Sequence, residues 1–310
     1  MSFNITKTKQ KRVVIVGGGF GGLKLANELH QSGFQVVLID KNNHHQFPPL
    51  IYQVASSGLE PSSISFPFRK LFNRHQDIHF RMAEAKQICP DRKILQTSIG
   101  NIDYDYLVLA AGTTSNFFGN KQIEAAAMPM KTLSEAMGLR NTLLSNLERS
   151  VTCDTTQERR ELLNVVIVGG GATGVEIAGA IAEMKRYILP KDYPEIDHSD
   201  LHIFLIEAGN RLLSGMSIKS SRKAEEFLRR MGVNIYLNKR VTHKVILEDG
   251  MEIPTQTFIW VSGVRANEIG NLSSEAIGHG GRILVDANNQ IKGMNHVFCI
   301  GDQCLMTSFE

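Results

Sequence analysis

The chain has 310 residues, of which 42% are hydrophobic and 21% charged, and its formal net charge is +3. This length is typical of about two domains and this composition of a globular protein, whereas the charge is too small to indicate nucleic-acid binding. Because no apolar run approaches the roughly 18–20 residues that span a bilayer and no apolar N-terminal stretch is typical of a signal peptide, we expect an intracellular chain.

The first predicted elements are a strand, a glycine-rich turn and a helix. A short basic stretch with Lys7, Lys9, Lys11 and Arg12 comes first and predicts a solvated tail. The β-branched run 13–16 then precedes Gly-Gly-Gly-Phe-Gly-Gly, and residues 20–31 have an amphipathic helical pattern with Gly33 as its cap. A second strand-like run ends in an acid, Asp40. Together they predict a dinucleotide-binding βαβ unit.

A loop-like segment follows this first unit. Residues 42–58 are rich in proline and aromatic side chains and are predicted to form a loop over the strand ends, where ligands bind in open α/β sheets. His44 and His45 are adjacent in this segment, so their side chains tend to point apart, and we expect loop residues rather than ligands. The next buried strand, 106–112, ends in small residues.

The second half repeats the pattern. The run 165–168 precedes a second Gly-Gly-Gly turn, a helical pattern follows, and another strand ends in an acid, Glu207. Residues 187–200 contain two prolines and are predicted to form a long helix-to-strand loop, and the strand 258–263 matches 106–112. A last strand, 297–300, runs into Gly-Asp.

The glycines of each copy have distinct physical roles. The first makes the tight turn, the second leaves room for a pyrophosphate, and the third lets the helix pack closely on the strand. They are Gly17, Gly19 and Gly22 in the first copy, and Gly169, Gly171 and Gly174 in the second. The helix N-termini attract phosphate, and the acids Asp40 and Glu207 accept hydrogen bonds from ribose hydroxyls. Two such sites predict two dinucleotides and electron transfer between them.

The four cysteines show neither a C-x-x-C pair nor the spacing of a zinc site, and we expect no metal. They are Cys89, Cys153, Cys299 and Cys304. Free thiols of a reducing compartment need no special role, and the absence of a pair argues against a disulfide reductase with a redox-active dithiol.

Several segments together resemble type II NADH dehydrogenase, the NADH:quinone oxidoreductase among the flavoproteins with two dinucleotide-binding domains. They are VVIVGGGFGGLKLANEL, FPPLIYQVASSGLEP, YDYLVLAAGTTSNFFG, MKTLSEAMGLRNTLL, VVIVGGGATGVEIAGAIAE, FIWVSGVRAN and IKGMNHVFCIGD. The resemblance implies an α/β fold of two Rossmann-like domains, with the NADH domain inserted into the FAD domain. It gives residues 1–115 and 287–310 to an FAD-binding domain and residues 116–286 to an NADH-binding domain.

The resemblance also implies roles for individual residues in an FAD site. Gly17, Gly19, Phe20 and Gly22 would hold the pyrophosphate and Asp40 the adenosine ribose. Ala85 would meet the adenine through its backbone, Pro49 and Gln53 would lie near the isoalloxazine, and Ala111 and Gly112 along the cofactor. Gly301 and Asp302 match a second FAD motif whose aspartate binds the ribityl chain.

The same resemblance places NADH at the second copy. Its contacts would be Gly169, Gly171, Thr173, Gly174, Glu207 and Gly263. Glu207 should favour NADH over NADPH because a carboxylate repels a 2′-phosphate, although Arg211 could soften this preference unless it is a solvated surface residue. Glu176 matches a glutamate near the contact of nicotinamide and flavin, and its alternative is an ordinary first-turn acid favoured by the helix dipole.

The implied activity is transfer of a hydride from NADH to FAD and of two electrons to a quinone, in a homodimer on the cytoplasmic face of the cell membrane. Two alternatives stay open: a soluble NADH-dependent flavoprotein reductase with another acceptor, and a redox sensor that binds NADH and FAD without turnover. Sulfide:quinone reductase shares the architecture but needs catalytic cysteines that this chain does not obviously supply. The family's C-terminal membrane-attachment region is expected to be absent here, which predicts a soluble chain.

Overall fold

The computed structural model describes residues 3–243 and 245–306. The chain divides into two compact units. The first unit consists of Met1–Gln46, Ser65–Thr114 and Val264–Glu310, and the second of Phe47–Ile64 and Ser115–Gly263. Within the described residues, no helix has both the length and the apolar character needed to cross a membrane.

The helices and strands are numbered in chain order. The helices are α1 (Phe20–Glu28), α2 (Ile51–Ala55), α3 (Phe68–Leu71), α4 (Lys121–Ala126), α5 (Leu133–Thr152), α6 (Thr156–Leu163), α7 (Ala172–Tyr187), α8 (Leu189–Asp192) and α9 (Ile218–Arg230). Single 3₁₀ turns are formed by Pro48–Leu50, Pro61–Ser63, Pro90–Arg92, His198–Asp200, Ser274–Ala276, His279–Gly281 and Gly301–Gln303. The strands are β1 (Arg12–Val16), β2 (Gln35–Asp40), β3 (His44–Gln46), β4 (Ser65–Pro67), β5 (Ile78–Met82), β6 (Ala85–Cys89), β7 (Ile94–Thr97), β8 (Gly100–Asp103), β9 (Tyr106–Leu109), β10 (Thr113–Ser115), β11 (Met128–Pro129), β12 (Asn164–Val168), β13 (His202–Ile206), β14 (Val233–Tyr236), β15 (Val241–His243), β16 (Ile246–Leu247), β17 (Thr257–Trp260), β18 (Val264–Ala266), β19 (Ile283–Val285), β20 (Val297–Cys299) and β21 (Cys304–Met306).

The first unit is built on a five-stranded sheet in the order β20-β9-β1-β2-β5, with every neighbouring pair parallel. Because side chains alternate between the faces of a strand, β1 buries Val13 and Ile15 in one apolar cluster and Val14 and Val16 in another. Burial on both faces explains why the strands read as continuous β-branched runs. The antiparallel strands β6, β7 and β8 form a separate small sheet.

The second unit repeats this architecture. Its five strands have the order β11-β17-β12-β13-β14 and are also parallel throughout. Along β12, Val165 and Ile167 face one cluster, while Val166 and Val168 face the other. The predicted α/β class and the paired Rossmann-like units are confirmed.

The two sheets differ in the chain order of one edge strand. In the first unit the strand beside β9 is β20, which comes last in the sheet along the chain. In the second unit the corresponding strand beside β17 is β11, which comes first. The other four strands are therefore arranged in the same way in both sheets, and only the position of this edge strand along the chain differs.

The boundaries of the compact units differ from those suggested by the sequence. Residues 47–64 belong to the second unit because Ile51, Val54 and Ile64 join the apolar core around α5 and α7. Residues 264–286 belong to the first unit, since Ile269 and Ile283 pack in the cluster of its sheet. Apolar side chains, rather than the glycine motifs, decide both assignments.

Three segments depart from the sequence predictions. Helix α1 ends at Glu28, not at residue 31, because the Asp77 carboxylate accepts the backbone N–H of Gln31, which adopts a φ of 59°. Segment 42–58 is not entirely a loop: a 3₁₀ turn and α2 occupy residues 48–55, where proline fits a helix start because the first N–H groups there need no partner. The linker 187–200 likewise contains α8.

The basic stretch is also not wholly a solvated tail. Arg12 is the first residue of β1 and is only 2% exposed. Its guanidinium donates to Gln35 Oε1 at 2.8 Å and to Asp103 Oδ1 at 2.5 Å. Lys7 pairs with Asp103 at 2.8 Å. A buried guanidinium with paired donors is compatible with the core, whereas an unpaired one would not be.

Candidate functional site

The first glycine-rich loop joins β1 to α1 and has one open position. Gly17 has a φ of 104°, and a Cβ there would lie 2.2 Å from the Ala110 carbonyl oxygen. A Cβ at Gly22 would lie 1.8 Å from the Gly17 carbonyl oxygen, so the third glycine is fixed by helix–turn packing. At Gly19, the N-cap of α1, a Cβ would meet no atom within 4 Å.

The second loop, between β12 and α7, has the same geometry. Gly169 has a φ of 120°, and a Cβ there would lie 2.7 Å from the Val261 backbone. Gly174 would place a Cβ 1.8 Å from the Gly169 carbonyl oxygen, while Gly171 has no atom within 4 Å of that position. Each loop therefore offers open space at its middle glycine, beside a helix N-terminus, and fits a pyrophosphate.

The two acids hold their loops in the same way. The Gly18 N–H donates to Asp40 Oδ2 at 2.7 Å, and the Gly170 N–H donates to Glu207 Oε2 at 2.6 Å. Burial raises the pKa of Asp40. Both carboxylates thus lie at the end of the second strand of their βαβ unit, adjacent to the glycine loop.

Strand β9 ends at Leu109, not at residue 112, and residues 110–112 after it are held by two side chains whose role was not evident from the sequence. Gln303, which is fully buried, accepts the Ala111 N–H at 2.9 Å and donates to the Asn267 carbonyl at 2.8 Å. Asn267 in turn donates through Nδ2 to the Ala111 carbonyl at 2.7 Å, and its N–H donates to the Gly112 carbonyl. No local pattern could reveal these contacts, because the partners are far apart along the chain.

Gly301 and Asp302 begin the 3₁₀ turn that follows β20. A Cβ at Gly21 in α1 would lie 4.0 Å from the Gly301 N atom, so this turn is adjacent to the first glycine loop. Asp302 is exposed, and its carbonyl accepts Nε of Arg282. Ala85 starts β6, two residues after Ala83, whose N–H donates to the Asp40 carbonyl.

Glu176 and Thr173 line a small pocket within the second unit. Its volume is about 70 Å³, and its lining residues are Pro48, Ile51, Tyr52, Met130, Lys131, Thr173 and Glu176. Partial burial raises the pKa of Glu176. Pro49 lies in the same 3₁₀ turn as the lining residue Pro48, and Gln53 lies in α2 with the lining residues Ile51 and Tyr52. The pocket therefore combines the helix of the second glycine loop with the proline-rich segment.

Gly263 and Arg211 are each constrained by neighbouring residues of the second unit. Gly263 has a φ of 99°, and a Cβ there would lie 2.9 Å from the Phe118 ring. Arg211 donates to the carbonyl oxygens of Ser214 and Met216, at 2.5 and 3.0 Å. The Arg211 guanidinium is therefore bonded to backbone carbonyls of the loop that contains it.

His44 and His45 do not lie in a loop but on β3, and His45 is buried. Its Nδ1 is 2.9 Å from the Gly18 carbonyl oxygen. This contact with the first glycine loop was not evident from the sequence, although the glycine at position 18, repeated at 170, was a signal of close packing. Among the described residues, no cluster of His, Cys, Asp and Glu side chains has the arrangement of a metal site.

Comparison with known proteins gives consistent matches over nearly the whole chain. The family model described as pyridine nucleotide-disulphide oxidoreductase matches residues 11–309. Type II NADH:quinone oxidoreductase NdhA of Mycobacterium tuberculosis is 33% identical over 308 residues, covering 94% of this chain and 66% of the relative. Type II NADH:quinone oxidoreductase Ndh of the same organism is 30% identical over 310 residues, covering 95% of this chain and 67% of that relative. The structure of NDH2 from Plasmodium falciparum in complex with NADH has a TM-score of 0.88 at 23% identity, covering 96% of this chain and 65% of that one, which shows a shared fold. The chain thus spans about two thirds of these proteins.

Proposed function

The chain belongs to the pyridine nucleotide-disulphide oxidoreductase family, within the group of type II NADH:quinone oxidoreductases, and on that premise we propose that it oxidises NADH and reduces a quinone. The observation that carries the proposal is the pair of equivalent glycine loops, each open at its middle glycine, Gly19 or Gly171. Two dinucleotide sites in one chain suit a reaction in which one nucleotide is a co-substrate and the other a resident flavin.

The proposed flavin is FAD, held by the first unit. The Gly19 position gives space for its pyrophosphate beside the N-terminus of α1. We assign the ribose to Asp40, whose carboxylate lies next to this loop. When bound, a flavin supplies the capacity to accept a hydride and release electrons to a quinone. The remaining proposed contacts are Gly17, Phe20, Gly22, Ala85, Ala111, Gly112, Gly301 and Asp302, with Pro49 and Gln53 assigned to the isoalloxazine by the family resemblance alone.

The proposed NADH site is the second loop. Gly171 leaves space for the pyrophosphate. We assign the ribose to Glu207, whose carboxylate lies next to this loop. A 2′-phosphate would be repelled by the Glu207 carboxylate, and Arg211 is held by the carbonyls of its own loop. We therefore propose a preference for NADH over NADPH. Gly169, Thr173, Gly174 and Gly263 complete the proposed contacts.

Glu176 is the proposed catalytic residue. Its carboxyl lines the pocket that also includes Thr173 of the second loop, and partial burial raises its pKa, which favours retention of a proton. We propose that the Glu176 carboxyl positions the nicotinamide end of NADH through a hydrogen bond. The alternative of a first-turn acid favoured by the helix dipole is wrong, because α7 begins at Ala172 and has no acidic residue in its first turn.

A quinone acceptor, contact with a membrane and a homodimer complete the proposal. Two relatives are named NADH:quinone oxidoreductases, which supports a quinone as the acceptor. Membrane contact and dimer formation are proposed from the family resemblance alone.

An anaerobic spectral experiment with the purified chain, supplied with FAD, tests this function. Addition of NADH should bleach the flavin absorption, and a soluble quinone should restore it. A Glu207→Arg variant should keep the flavin yet bleach more slowly with NADH, which separates the two sites. Bleaching without recovery would contradict the quinone step and favour another acceptor or a sensor, whereas a protein that takes up no flavin would overturn the proposal.

A further inference from the structure

The glycine between the turn glycine and the open glycine is fixed at three points in both loops. In the second loop, the Gly170 N–H donates to Glu207 at 2.6 Å, and the Gly170 carbonyl accepts the backbone N–H of Leu213 at 2.8 Å. A Cβ at Gly170 would lie 2.7 Å from Cδ2 of Leu212, so the chain also packs tightly there. The carbonyl partner and the packing neighbour of Gly170 therefore both belong to the loop that follows Glu207.

The first loop has the same three contacts, but two of them, to the carbonyl and to the packed face, come from different sources. The Gly18 N–H donates to Asp40 at 2.7 Å, and a Cβ at Gly18 would lie 2.1 Å from Cζ of the buried Phe68. The Gly18 carbonyl, however, has the side chain of His45 as its partner, at 2.9 Å. A side chain therefore takes the place that a backbone amide has in the second loop.

From this correspondence we infer that His45 is a positioning residue for the first dinucleotide site, which rests on the proposed binding of FAD there. The Gly18 carbonyl and the Gly19 N–H belong to one peptide, and the described residues contain no cis peptide bond. In a planar trans peptide the C=O and N–H point in opposite directions. Fixing the Gly18 carbonyl on His45 thus directs the Gly19 N–H away from His45, at the residue that leaves space for the pyrophosphate.

The surroundings of His45 suit this role. The residue is 7% exposed and lies on β3, opposite Phe66 of β4. The ring of Phe20, the first residue of α1, lies 5.6 Å from its ring centroid. A carbonyl oxygen can only accept a hydrogen bond, so Nδ1 of His45 carries the proton. Backbone pairing and ring packing together hold the imidazole against the loop.

A set of substitutions at position 45 tests the inference. His45→Leu removes the donor, whereas His45→Asn keeps an N–H donor near the place of Nδ1. The matched control is His44→Leu, which changes the adjacent histidine, whose Nδ1 contacts Asn43. For each protein, the dissociation constant of FAD would be measured by flavin fluorescence on the flavin-free chain, and that of NADH by titration. The ¹⁵N chemical shifts of His45 would report which ring nitrogen is protonated.

We expect His45→Leu to weaken FAD binding by roughly 10-fold or more, since an unpaired carbonyl remains beside the site. NADH affinity should be unchanged because the second loop has its own backbone partner, Leu213. His45→Asn should recover most of the FAD affinity, and His44→Leu should bind like the wild-type protein. The ¹⁵N spectrum should show a protonated Nδ1.

Three results would overturn the inference while leaving the proposed function intact. They are wild-type FAD affinity in His45→Leu, an equal loss in His45→Asn, and a parallel loss of NADH affinity that indicates a general structural defect. If His45→Leu does not fold, the FAD affinity of His45→Asn and the protonation of the His45 ring, read from its ¹⁵N shifts, decide the question. An unprotonated Nδ1 would contradict the proposed role of His45. A wild-type protein that binds no flavin would overturn the proposed function as well.

Discussion

Alanine substitutions at Gly17 and Gly19 should separate the stability of the first loop from its capacity to bind a dinucleotide. At Gly17, an added Cβ would lie 2.2 Å from the Ala110 carbonyl oxygen, on a backbone with a φ of 104°. Strain of this kind costs about 1–3 kcal/mol, and overpacking costs about another 1–3 kcal/mol. Gly17→Ala should therefore lower the free energy of unfolding by about 2–6 kcal/mol. The contact shows that Gly17 is needed for the fold before any ligand is considered.

Gly19→Ala should behave in the opposite way. The residue has a φ of −67° and a ψ of −168°, which alanine adopts readily, and a Cβ there meets no atom within 4 Å. Reduced freedom of the unfolded chain stabilises by about 0.4–1 kcal/mol, and alanine at an N-cap costs a similar amount. Stability should thus remain within about 1 kcal/mol of the wild-type value. The methyl group would occupy space proposed for the pyrophosphate and should weaken FAD binding by about 10–100-fold.

Urea denaturation of the flavin-free proteins and fluorescence titration with FAD would measure both effects. Gly171→Ala is the matched control, because it adds the same methyl group at the open position of the second loop. It should weaken NADH binding and leave FAD binding unchanged. The reasoning is refuted if Gly19→Ala destabilises the protein as much as Gly17→Ala does, or if it binds FAD as the wild-type protein does.

Further predictions concern charged residues. Glu207→Arg should lower the ratio of kcat/KM for NADH to that for NADPH, because it removes a carboxylate that repels a 2′-phosphate; an unchanged ratio would contradict our second site. Burial raises the pKa of Asp40, so as pH rises Asp40 loses its proton at a lower pH in the unfolded chain than in the folded one. Relative to the Asp40→Asn variant, the free energy of unfolding of the wild-type protein should therefore fall as pH rises from 3.8 through the folded pKa. Burial also opposes ionisation of Asp103, but Lys7 and Arg12 outweigh burial and lower the pKa of Asp103. The free energy of unfolding of the wild-type protein, relative to that of Asp103→Asn, should therefore increase as pH rises towards 3.8. A slope of the same sign as for Asp40 would argue against the ion pairs. Arg12→Ala should lower the free energy of unfolding by about 3 kcal/mol in urea denaturation, and a loss below about 0.5 kcal/mol would show that the buried guanidinium is not held by its partners.

The sequence predicted the elements whose signals are local. Strands such as β1 and β12 are buried on both faces and therefore read as β-branched runs, and a turn with positive φ followed by a helix requires glycine at fixed spacing. Asp40 is the last residue of β2 and Glu207 directly follows β13, so the position of each acid at the end of its strand was predictable as well.

Features that depend on distant partners escaped prediction. The proline-rich segment 47–64 has no local signal for the unit it joins, because Ile51 and Val54 would suit any apolar core. In the sequence Arg12 cannot be distinguished from the other basic residues of its stretch, because its partners Gln35 and Asp103 are distant along the chain. Similarly, the amide contacts of Gln303 with residue 111 join positions that only the folded sheet brings together.

The origin of the edge strands has a consequence for the order in which a nascent chain can fold. The second sheet has all of its strands once residue 260 has been synthesised. The first sheet lacks β20 until residues 297–299 emerge, although its neighbour β9 was complete at residue 109. On the ribosome, the β9 edge of the first sheet therefore stays uncovered until the second sheet has been made in full.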